Sequence, residues 1–253
     1  MQELIHQKLR DVERQYNVSI LLACETGSRA WGFPSPDSDY DVRFIYRHPK
    51  DWYLSIDESR DTIEYLNGDL DLVGWDIRKG LRLLRKSNAA MFERLQSPII
   101  YLERTDFRQQ LSVLLPDYFS CRAGLHHYLG MAHNYYKVCE PADEVKLKSY
   151  FYLMRTALAS LWIVERKSIP PLRFQELLVL VKDEQTLATI GSLLELKAKV
   201  DERYLHPKET ALEAYLKSVL DFCESKANEL EKQQGETAPL NTLFRETIDK
   251  PWH

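Results

Sequence analysis

Asp39 and Asp41 form a D-x-D pair at the start of a predicted strand, and they offer the clearest chemistry in the sequence. Side chains alternate along a strand, so both carboxylates point to one face, ~7 Å apart. Two such carboxylates repel each other unless a cation lies between them. Mg²⁺ or Mn²⁺ prefers oxygen ligands of this kind. The spacing therefore predicts a divalent metal site, although D-x-D alone is a weak signal.

Gly27 and Ser28 directly follow a short apolar run, Val18 to Ala23, which has the length and composition of a buried strand. Glycine after a strand lets a phosphate approach the main chain, whose N–H groups can turn outward there. Any turn could have this form. Joined to the aspartate pair eleven residues later, however, the Gly-Ser turn predicts a site for a phosphate ester and metal.

The elements that must position these residues are mixed in the first half of the chain. Residues 2–16 have apolar positions at helical spacing, residues 25–38 form a loop, and residues 40–46 resume strand character. Asn67-Gly68 between residues 62–66 and 70–75 predicts a β-hairpin. Asp76 is placed to cap a helix that begins at Ile77. The small sheet has at least four strands.

The second half of the chain is predicted to be helical after about residue 106. The strongest segment is 142–167, where Leu147, Phe151 and Met154 begin an apolar stripe. Further helices are predicted at 173–182, 184–204 and 208–232, and the last twenty residues as a tail or arm. The fold class is α+β: a small mixed sheet followed by a C-terminal helical bundle.

Composition excludes several classes of protein. The chain has 253 residues, 44% hydrophobic and 28% charged, as in a globular protein. No window approaches the ~18 apolar residues of a membrane span, and residues 1–10 lack a signal-peptide core, so we expect a cytoplasmic protein that does not enter a membrane. Four scattered cysteines favour reduced thiols.

The net charge of −4 is unevenly distributed. Residues 1–77 carry 8 Lys and Arg against 15 Asp and Glu, residues 78–182 carry 17 against 9, and the remainder is acidic. A basic middle can mark a polyanion site within a protein of ordinary pI. Basic, solvated helix faces explain the same numbers equally well.

The motifs together resemble a known superfamily. G-S-x-x-x-G followed by S-D-x-D resembles the DNA polymerase β-type nucleotidyltransferases. The fuller strings GSRAWGF and SDYDVRFIY are similar to bacterial and phage nucleotidyltransferases predicted to act in RNA repair, as are the later GWDIRKGLRLLRKSN, FERLQSPIIY and KLKSYFYLMR. The likeness spans most of residues 20–180.

The resemblance implies a role for each matching residue. Gly27 and Ser28 would hold the β- and γ-phosphates of a nucleoside triphosphate (NTP), with Arg29 assisting, and Asp39 and Asp41 would ligate two Mg²⁺ ions. The superfamily usually adds a third carboxylate from a later strand. Three residues lie near the right place: we favour Asp71, inside the second hairpin strand, over Asp76, a predicted helix cap, and Asp69, a turn residue.

Two basic segments are further candidates for phosphate contacts. The first comprises Arg78, Lys79, Arg82, Arg85 and Lys86, which crowd one predicted helix and could line a path for a nucleic-acid end or a triphosphate. The second comprises Lys148, Tyr152 and Arg155, at i, i+4 and i+7, where the cations would touch phosphate and the tyrosine would stack on a base. A solvated face explains the first equally well, and a salt-bridge face with Asp143 or Glu144 the second.

Other patterns carry less weight. Arg122 and His127 match R-x₄-H, a spacing found in HEPN ribonucleases, but two fixed positions occur easily by chance. The cysteines and histidines at 121, 126, 127 and 139 fit no usual zinc spacing. Ser28 lacks the G-x-S-x-G elbow of a hydrolytic nucleophile.

We therefore expect a nucleotidyltransferase catalytic domain at 1–103, a helical substrate-binding domain at 104–233 and a tail at 234–253. The expected reaction is Mg²⁺-dependent transfer of a nucleoside monophosphate from an NTP to a hydroxyl, with an RNA end as the favoured acceptor. Alternatives are transfer to a protein side chain or a small molecule, and a nucleotide- or partner-binding module without catalysis. The NTP, any template and the oligomeric state stay open.

Overall fold

The computed structural model describes residues 1–57, 59–104 and 106–252. Contacts within the chain divide it into two compact units. The first contains residues 1–30, 39–118 and 234–253, and the second contains residues 31–38 and 119–233. The domain boundaries expected near residues 103 and 233 stay a prediction.

The first unit combines a sheet with helices. Its elements are α1 (Gln2–Tyr16), β1 (Ser19–Glu25), α2 (Gly27–Trp31, whose last residue joins the second unit), β2 (Tyr40–Arg47), α3 (Lys50–Tyr53), β3 (Thr62–Asn67), β4 (Leu70–Asp76), α4 (Ile77–Arg85), α5 (Ala89–Gln96), β5 (Ile100–Glu103), α6 (Phe107–Tyr118) and α12 (Thr237–Asp249). The second unit contains α7 (Cys121–Cys139), β6 (Glu144–Lys146), α8 (Leu147–Arg166), α9 (Phe174–Leu177), α10 (Glu184–Lys197), β7 (Leu205–Pro207) and α11 (Thr210–Lys226), with 3-10 turns at Leu178–Leu180 and Ala227–Glu229.

The sheet of the first unit has five strands in the order β3-β4-β2-β1-β5. Strand β2 runs antiparallel to β1 and parallel to β4, so the sheet is mixed. The hairpin of β3 and β4 turns at Asn67-Gly68, where Gly68 has a φ of 56°. The mixed sheet, the hairpin and the α+β class are confirmed.

One face of this sheet is covered by helix α1. Ile5, Leu9 and Val12 on α1 are buried against residues of β1, β2 and β4 that include Val42 and Leu72. On β4 the burial alternates: Asp71, Val73 and Trp75 lie on the other face and are only half-buried. The alternation thus leaves the face that carries Asp71 partly open.

Helix α4 begins where the sequence predicts. Asp76 caps it, because its carboxylate accepts a hydrogen bond from the Arg78 backbone N–H at 2.8 Å. The helix packs on the sheet through Gly80, beside Met91 and Ile45. A buried cap of this kind fixes the end of β4 and the start of α4 together.

The last twenty residues, predicted as a tail or arm, contain α12. Arg47 at the end of β2 is buried and donates hydrogen bonds to the carbonyls of Thr247, Ile248, Lys250 and Pro251 at 2.6–3.3 Å. These carbonyls lack partners within the helix, so a guanidinium satisfies them well. The C-terminal segment is therefore anchored to the first unit.

The second unit is built around α7 and α8. Ser120 caps α7, and Leu147, Phe151 and Met154 of the predicted stripe are buried on α8. The structure corrects two expectations. The helix predicted at 142–167 starts only at Leu147, because residues 144–146 pair as β6 with β7, so the chain after residue 106 is not purely helical.

The loop expected at 25–38 belongs partly to the second unit. The Phe33 ring packs against those of Phe151 and Phe174, at 5.1 and 5.6 Å between centroids. Gln175 donates to the Gly32 carbonyl at 2.8 Å. Lys197 is buried and donates to the Ser35 hydroxyl. Phe33 and the polar contacts of Gly32 and Ser35 thus anchor this part of the loop to the core of the second unit.

Candidate active site

The end of β1 is tied to the start of β2 by one carboxylate and one hydroxyl. Glu25 is fully buried; it accepts a hydrogen bond from the Asp41 backbone N–H at 2.7 Å and another from the Tyr101 hydroxyl. Burial raises the pKa of Glu25. Thr26 donates from both its backbone N–H and its hydroxyl to the Asp41 carbonyl at 2.9 Å. The Asp41 backbone is held on both sides.

Gly27 lies against the Asp41 carboxylate. Its φ of +63° favours glycine, and a Cβ at this position would lie 2.2 Å from Asp41 Oδ2. Ser28 follows it and is 6% exposed. The Gly-Ser turn and the second aspartate of D-x-D thus touch, as the shared chemistry of the two motifs requires.

Asp41 and Asp71 are direct partners in the parallel pairing of β2 and β4. Arg43, two residues further along β2, donates from Nη2 to Asp41 Oδ1 at 3.1 Å and to Asp71 Oδ2 at 2.8 Å. Its Nη1 also reaches the Asp71 carbonyl at 3.1 Å. One guanidinium therefore bridges the two carboxylates that the sheet brings together and offsets part of their charge.

Arg29 links α2 to the first aspartate of D-x-D. Its Nε donates to the Asp39 carbonyl at 3.0 Å, and its guanidinium lies over the Tyr40 ring, 3.8 Å from the centroid. Asp39 itself is exposed at the start of β2. The positively charged Arg29 side chain, two residues after Gly27, is thereby fixed beside the start of β2.

The three candidates for a third carboxylate lie in different surroundings. Asp71 shares Arg43 with Asp41, whereas Asp69 is exposed in the hairpin turn. Asp76 lies at the opposite end of β4, where it caps α4 and accepts a hydrogen bond from the Tyr53 hydroxyl at 2.6 Å. Burial raises the pKa of Asp76. The geometry favours Asp71 and gives Asp76 a structural task.

The carboxylate pair suits a divalent cation chemically. Asp41 and Asp71 present hard oxygen donors from neighbouring strands, and Arg43 supplies the positive charge that such a pair demands. Among residues 1–57, 59–104 and 106–252, no three His, Cys, Asp or Glu side chains are grouped closely enough to hold a metal ion. The oxygen atoms of Asp41 and Asp71 fit a divalent metal ion in place of the Arg43 guanidinium. Asp39 lies two residues before Asp41 on the chain.

The predicted contacts Lys148, Tyr152 and Arg155 lie on α8 in the second unit. Lys148 forms a salt bridge with Glu202 at 2.5 Å, rather than with residue 143 or 144. The Tyr152 ring meets that of Trp31 at 5.0 Å. Arg155 is 2% exposed, with its guanidinium 4.2 Å from the centre of the Trp31 ring. Their part in nucleotide binding stays a prediction.

The R-x₄-H residues lie on α7. Arg122 donates to Asn228 Oδ1 at 3.2 Å, and the His127 ring packs beside that of Tyr128 at 5.2 Å. These contacts lie within the second unit. Arg122 therefore has a structural partner in the helical unit.

Sequence reasoning assigned no role to Arg43 or Glu25. A signal for Arg43 was present, since strand alternation places residue 43 on the same face as Asp39 and Asp41. Glu25 is an acidic residue at the end of an otherwise apolar buried strand. A buried acid needs hydrogen-bond donors, and the structure supplies them from Asp41 and Tyr101.

Paired carboxylates against a glycine turn are characteristic of enzymes that handle phosphate esters, and comparison with known proteins agrees. The RNA repair pathway DNA polymerase beta family (RlaP) matches residues 1–246. The uncharacterized protein YcgL of Bacillus subtilis (strain 168) is 40% identical over 255 residues, covering 100% of this chain and 98% of that protein. The chain belongs to the RNA repair pathway DNA polymerase beta family. Membership supports a nucleotidyltransferase of the polymerase beta type.

Two further similarities are more distant. The uncharacterized protein MJ0002 of Methanocaldococcus jannaschii is 25% identical over 135 residues, 51% of this chain and 54% of that protein. The crystal structure of a nucleotidyltransferase-like protein from Exiguobacterium sibiricum 255-15 is 15% identical, with a TM-score of 0.32, over 98% of this chain and 82% of that one. Separately, within the described residues no helix is long and apolar enough to cross a membrane.

Proposed function

We propose that the protein transfers a nucleoside monophosphate from an NTP to the hydroxyl of an RNA end. The acceptor hydroxyl releases its proton to solvent as its oxygen forms a bond to the α-phosphorus, the bond to the leaving oxygen breaks, and pyrophosphate departs. The observation that carries the proposal is the pairing of Asp41 and Asp71 against Gly27. Family membership supports the reaction class, and the family's description as an RNA repair family supports the acceptor.

Asp39, Asp41 and Asp71 would hold Mg²⁺ or Mn²⁺. When bound, such ions neutralise the triphosphate and stabilise the entering and leaving oxygens. Arg43 has a task in their absence, since it donates hydrogen bonds to both facing carboxylates and holds them in place. A bound divalent ion would take over from Arg43 the task of offsetting the charge of the two carboxylates.

The backbone of Gly27 and Ser28 would hold the β- and γ-phosphates. The absence of a side chain at residue 27 lets the Asp41 carboxylate lie against the turn, in the space that a Cβ would need. Arg29, fixed by Asp39 and Tyr40, would add positive charge near the triphosphate. The turn and the aspartates thus serve one ligand.

To test the proposal, the full chain is incubated with Mg²⁺ and with each NTP in turn, labelled at the α-phosphate. RNA, DNA and an unrelated protein are offered as acceptors in separate reactions. We expect label on RNA, abolished by Asp71→Asn. Asp69→Asn is the matched control, because it removes the same charge two residues away on an exposed turn. Label on protein would contradict the RNA acceptor, and equal activity of the two variants would contradict the site.

A further inference from the structure

A basic cavity lies within the first unit, between α4 and α12. Its volume is about 330 Å³, at the lower end of the range for small-ligand sites. We call it the arginine pocket. It is lined by Arg78, Leu81, Arg82, Arg85, Thr237, Leu240, Asn241 and Phe244.

The pocket holds three positively charged arginines, of which Arg78 is attracted by the Asp76 carboxylate that caps α4. Arg78 lies over the rings of Tyr53 and Phe244, and Arg85 donates to the Thr237 hydroxyl at 3.0 Å. Arg82 is exposed. Counting only the part of the chain that the structure describes, none of the three forms a salt bridge with a carboxylate. Lys79 on the same helix differs, since it pairs with Asp61 at 2.8 Å.

Guanidinium groups recognise phosphate through paired hydrogen bonds. A phosphate monoester at a strand end carries nearly two negative charges at pH 7, whereas an internal phosphodiester carries one. Three guanidinium groups around a single cavity, rather than along a track, suit the more highly charged terminal group. The Thr237 hydroxyl and Asn241 amide offer further hydrogen bonds.

The walls of the pocket leave room for more than a phosphate. Leu81 and Leu240 are buried, and the half-buried Phe244 ring lines the same cavity. An apolar wall beside the arginines can receive the sugar and base of the nucleotide that carries the phosphate.

The arginine pocket is distinct from the carboxylate site. None of Asp39, Asp41 and Asp71 lines it. Helix α4 starts after Asp76, five residues along β4 from Asp71, or ~17 Å of strand. A ligand in the pocket therefore needs no catalytic carboxylate, and the two sites can be tested separately.

We propose that the arginine pocket binds a nucleotide bearing a terminal phosphate monoester, at the end of an RNA strand. The phosphate chemistry follows from the pocket, and the choice of RNA rests on the proposed function. Both strand ends offer this group, so the test uses a 12-nucleotide RNA with an internal fluorophore and a phosphate at its 5′ end, its 3′ end or neither.

Binding is measured by fluorescence anisotropy with the full chain in EDTA, which removes metal-mediated contacts. We expect the strand phosphorylated at one end to bind at least about tenfold more tightly than the unphosphorylated strand. Arg82→Gln and Arg85→Gln should each lose most of this preference. Arg245→Gln removes the same charge from an exposed position on α12 outside the pocket, and should keep it.

The proposal is overturned if neither phosphorylated strand is preferred, if both pocket variants keep the preference, or if Arg245→Gln loses it equally. Asp41→Asn separates the two hypotheses. It should abolish nucleotidyl transfer and leave the phosphate preference intact, and loss of the preference would contradict the independence of the arginine pocket from the carboxylate site. If the wild type prefers the phosphorylated RNA but transfers no nucleotide, the proposed reaction is wrong and the proposed phosphate site in the arginine pocket is supported.

Discussion

Gly27→Ala and Gly68→Ala form a matched pair that tests the contact between the Gly-Ser turn and Asp41. Both glycines have positive φ, +63° and +56°. Alanine in this left-handed conformation costs about 1–2 kcal/mol in either place. Only Gly27 has a neighbour in the way, because its Cβ would lie 2.2 Å from Asp41 Oδ2, whereas nothing lies within 4 Å at Gly68.

The clash sets the size of the effect on activity. An ordinary contact is at least 3.4 Å, so the Asp41 carboxylate and the new methyl group must separate by more than about 1 Å. Displacement of a reacting or ligating group by ~1 Å can cost about 100-fold in rate. We therefore expect Gly68→Ala to lose about 1–2 kcal/mol of unfolding free energy and Gly27→Ala to lose at least as much, whereas only Gly27→Ala should lose about 100-fold in transfer rate.

Urea unfolding measures the stability of both variants, and incorporation of α-labelled NTP into RNA measures their activity. Assays are compared at a temperature where each variant is fully folded. If Gly27→Ala transfers as fast as Gly68→Ala, the Asp41 carboxylate does not need its position beside the turn, and the reasoning about the site is refuted.

Three further outcomes follow from the contacts of the first unit. Asp76→Ala should lower the unfolding free energy by about 1–3 kcal/mol, because it removes the α4 cap and the hydrogen-bond partner of Tyr53. Asp71→Ala should change it by less than about 1 kcal/mol, because Asp71 belongs to a partly exposed ion pair. Urea unfolding measures both variants, and a larger loss for Asp71→Ala would contradict these roles. Arg43→Gln should lower the Mg²⁺ concentration that gives half-maximal activity, because no guanidinium then competes for the carboxylates, and a raised requirement would contradict this. Burial lowers the pKa of His48 to about 4. Because the unfolded chain then binds a proton more readily than the folded one, the unfolding free energy should fall as the pH drops from 6.5 towards 4. An NMR titration midpoint of His48 near pH 6.5 would contradict this prediction.

Local chemistry made part of the fold predictable. Asn67-Gly68 predicted the hairpin because that dipeptide favours the turn, and Asp76 predicted the start of α4 because a carboxylate satisfies free backbone N–H groups. Both signals act within a few residues of the chain. The apolar spacing on α8 likewise identified buried residues, although the helix is buried without interruption from Leu153 to Leu161.

Long-range pairing was not predictable from local pattern. Strands β6 and β7 are three residues each and lie about 60 residues apart, so neither carries a strand signal of its own. The helix α12 owes its anchoring to the distant Arg47, which no local pattern reveals.

The candidate site divides in the same way. Residue types and spacing were enough to select Gly27, Asp39 and Asp41 as candidates. The role of Arg43 could not be predicted, because it depends on the parallel register of β2 and β4. That register places Asp71 opposite Asp41, where both carboxylates contact Arg43.

The central claim is that Asp71 and its partners direct nucleotidyl transfer to RNA. The most direct measurement counts pyrophosphate released and nucleotide added to RNA in the same reaction, the second by mass spectrometry of the product. We predict equal amounts of both with the wild type and Asp69→Asn, and neither with Asp71→Asn. Pyrophosphate release without a mass gain on RNA, or equal transfer by Asp71→Asn, would contradict the account.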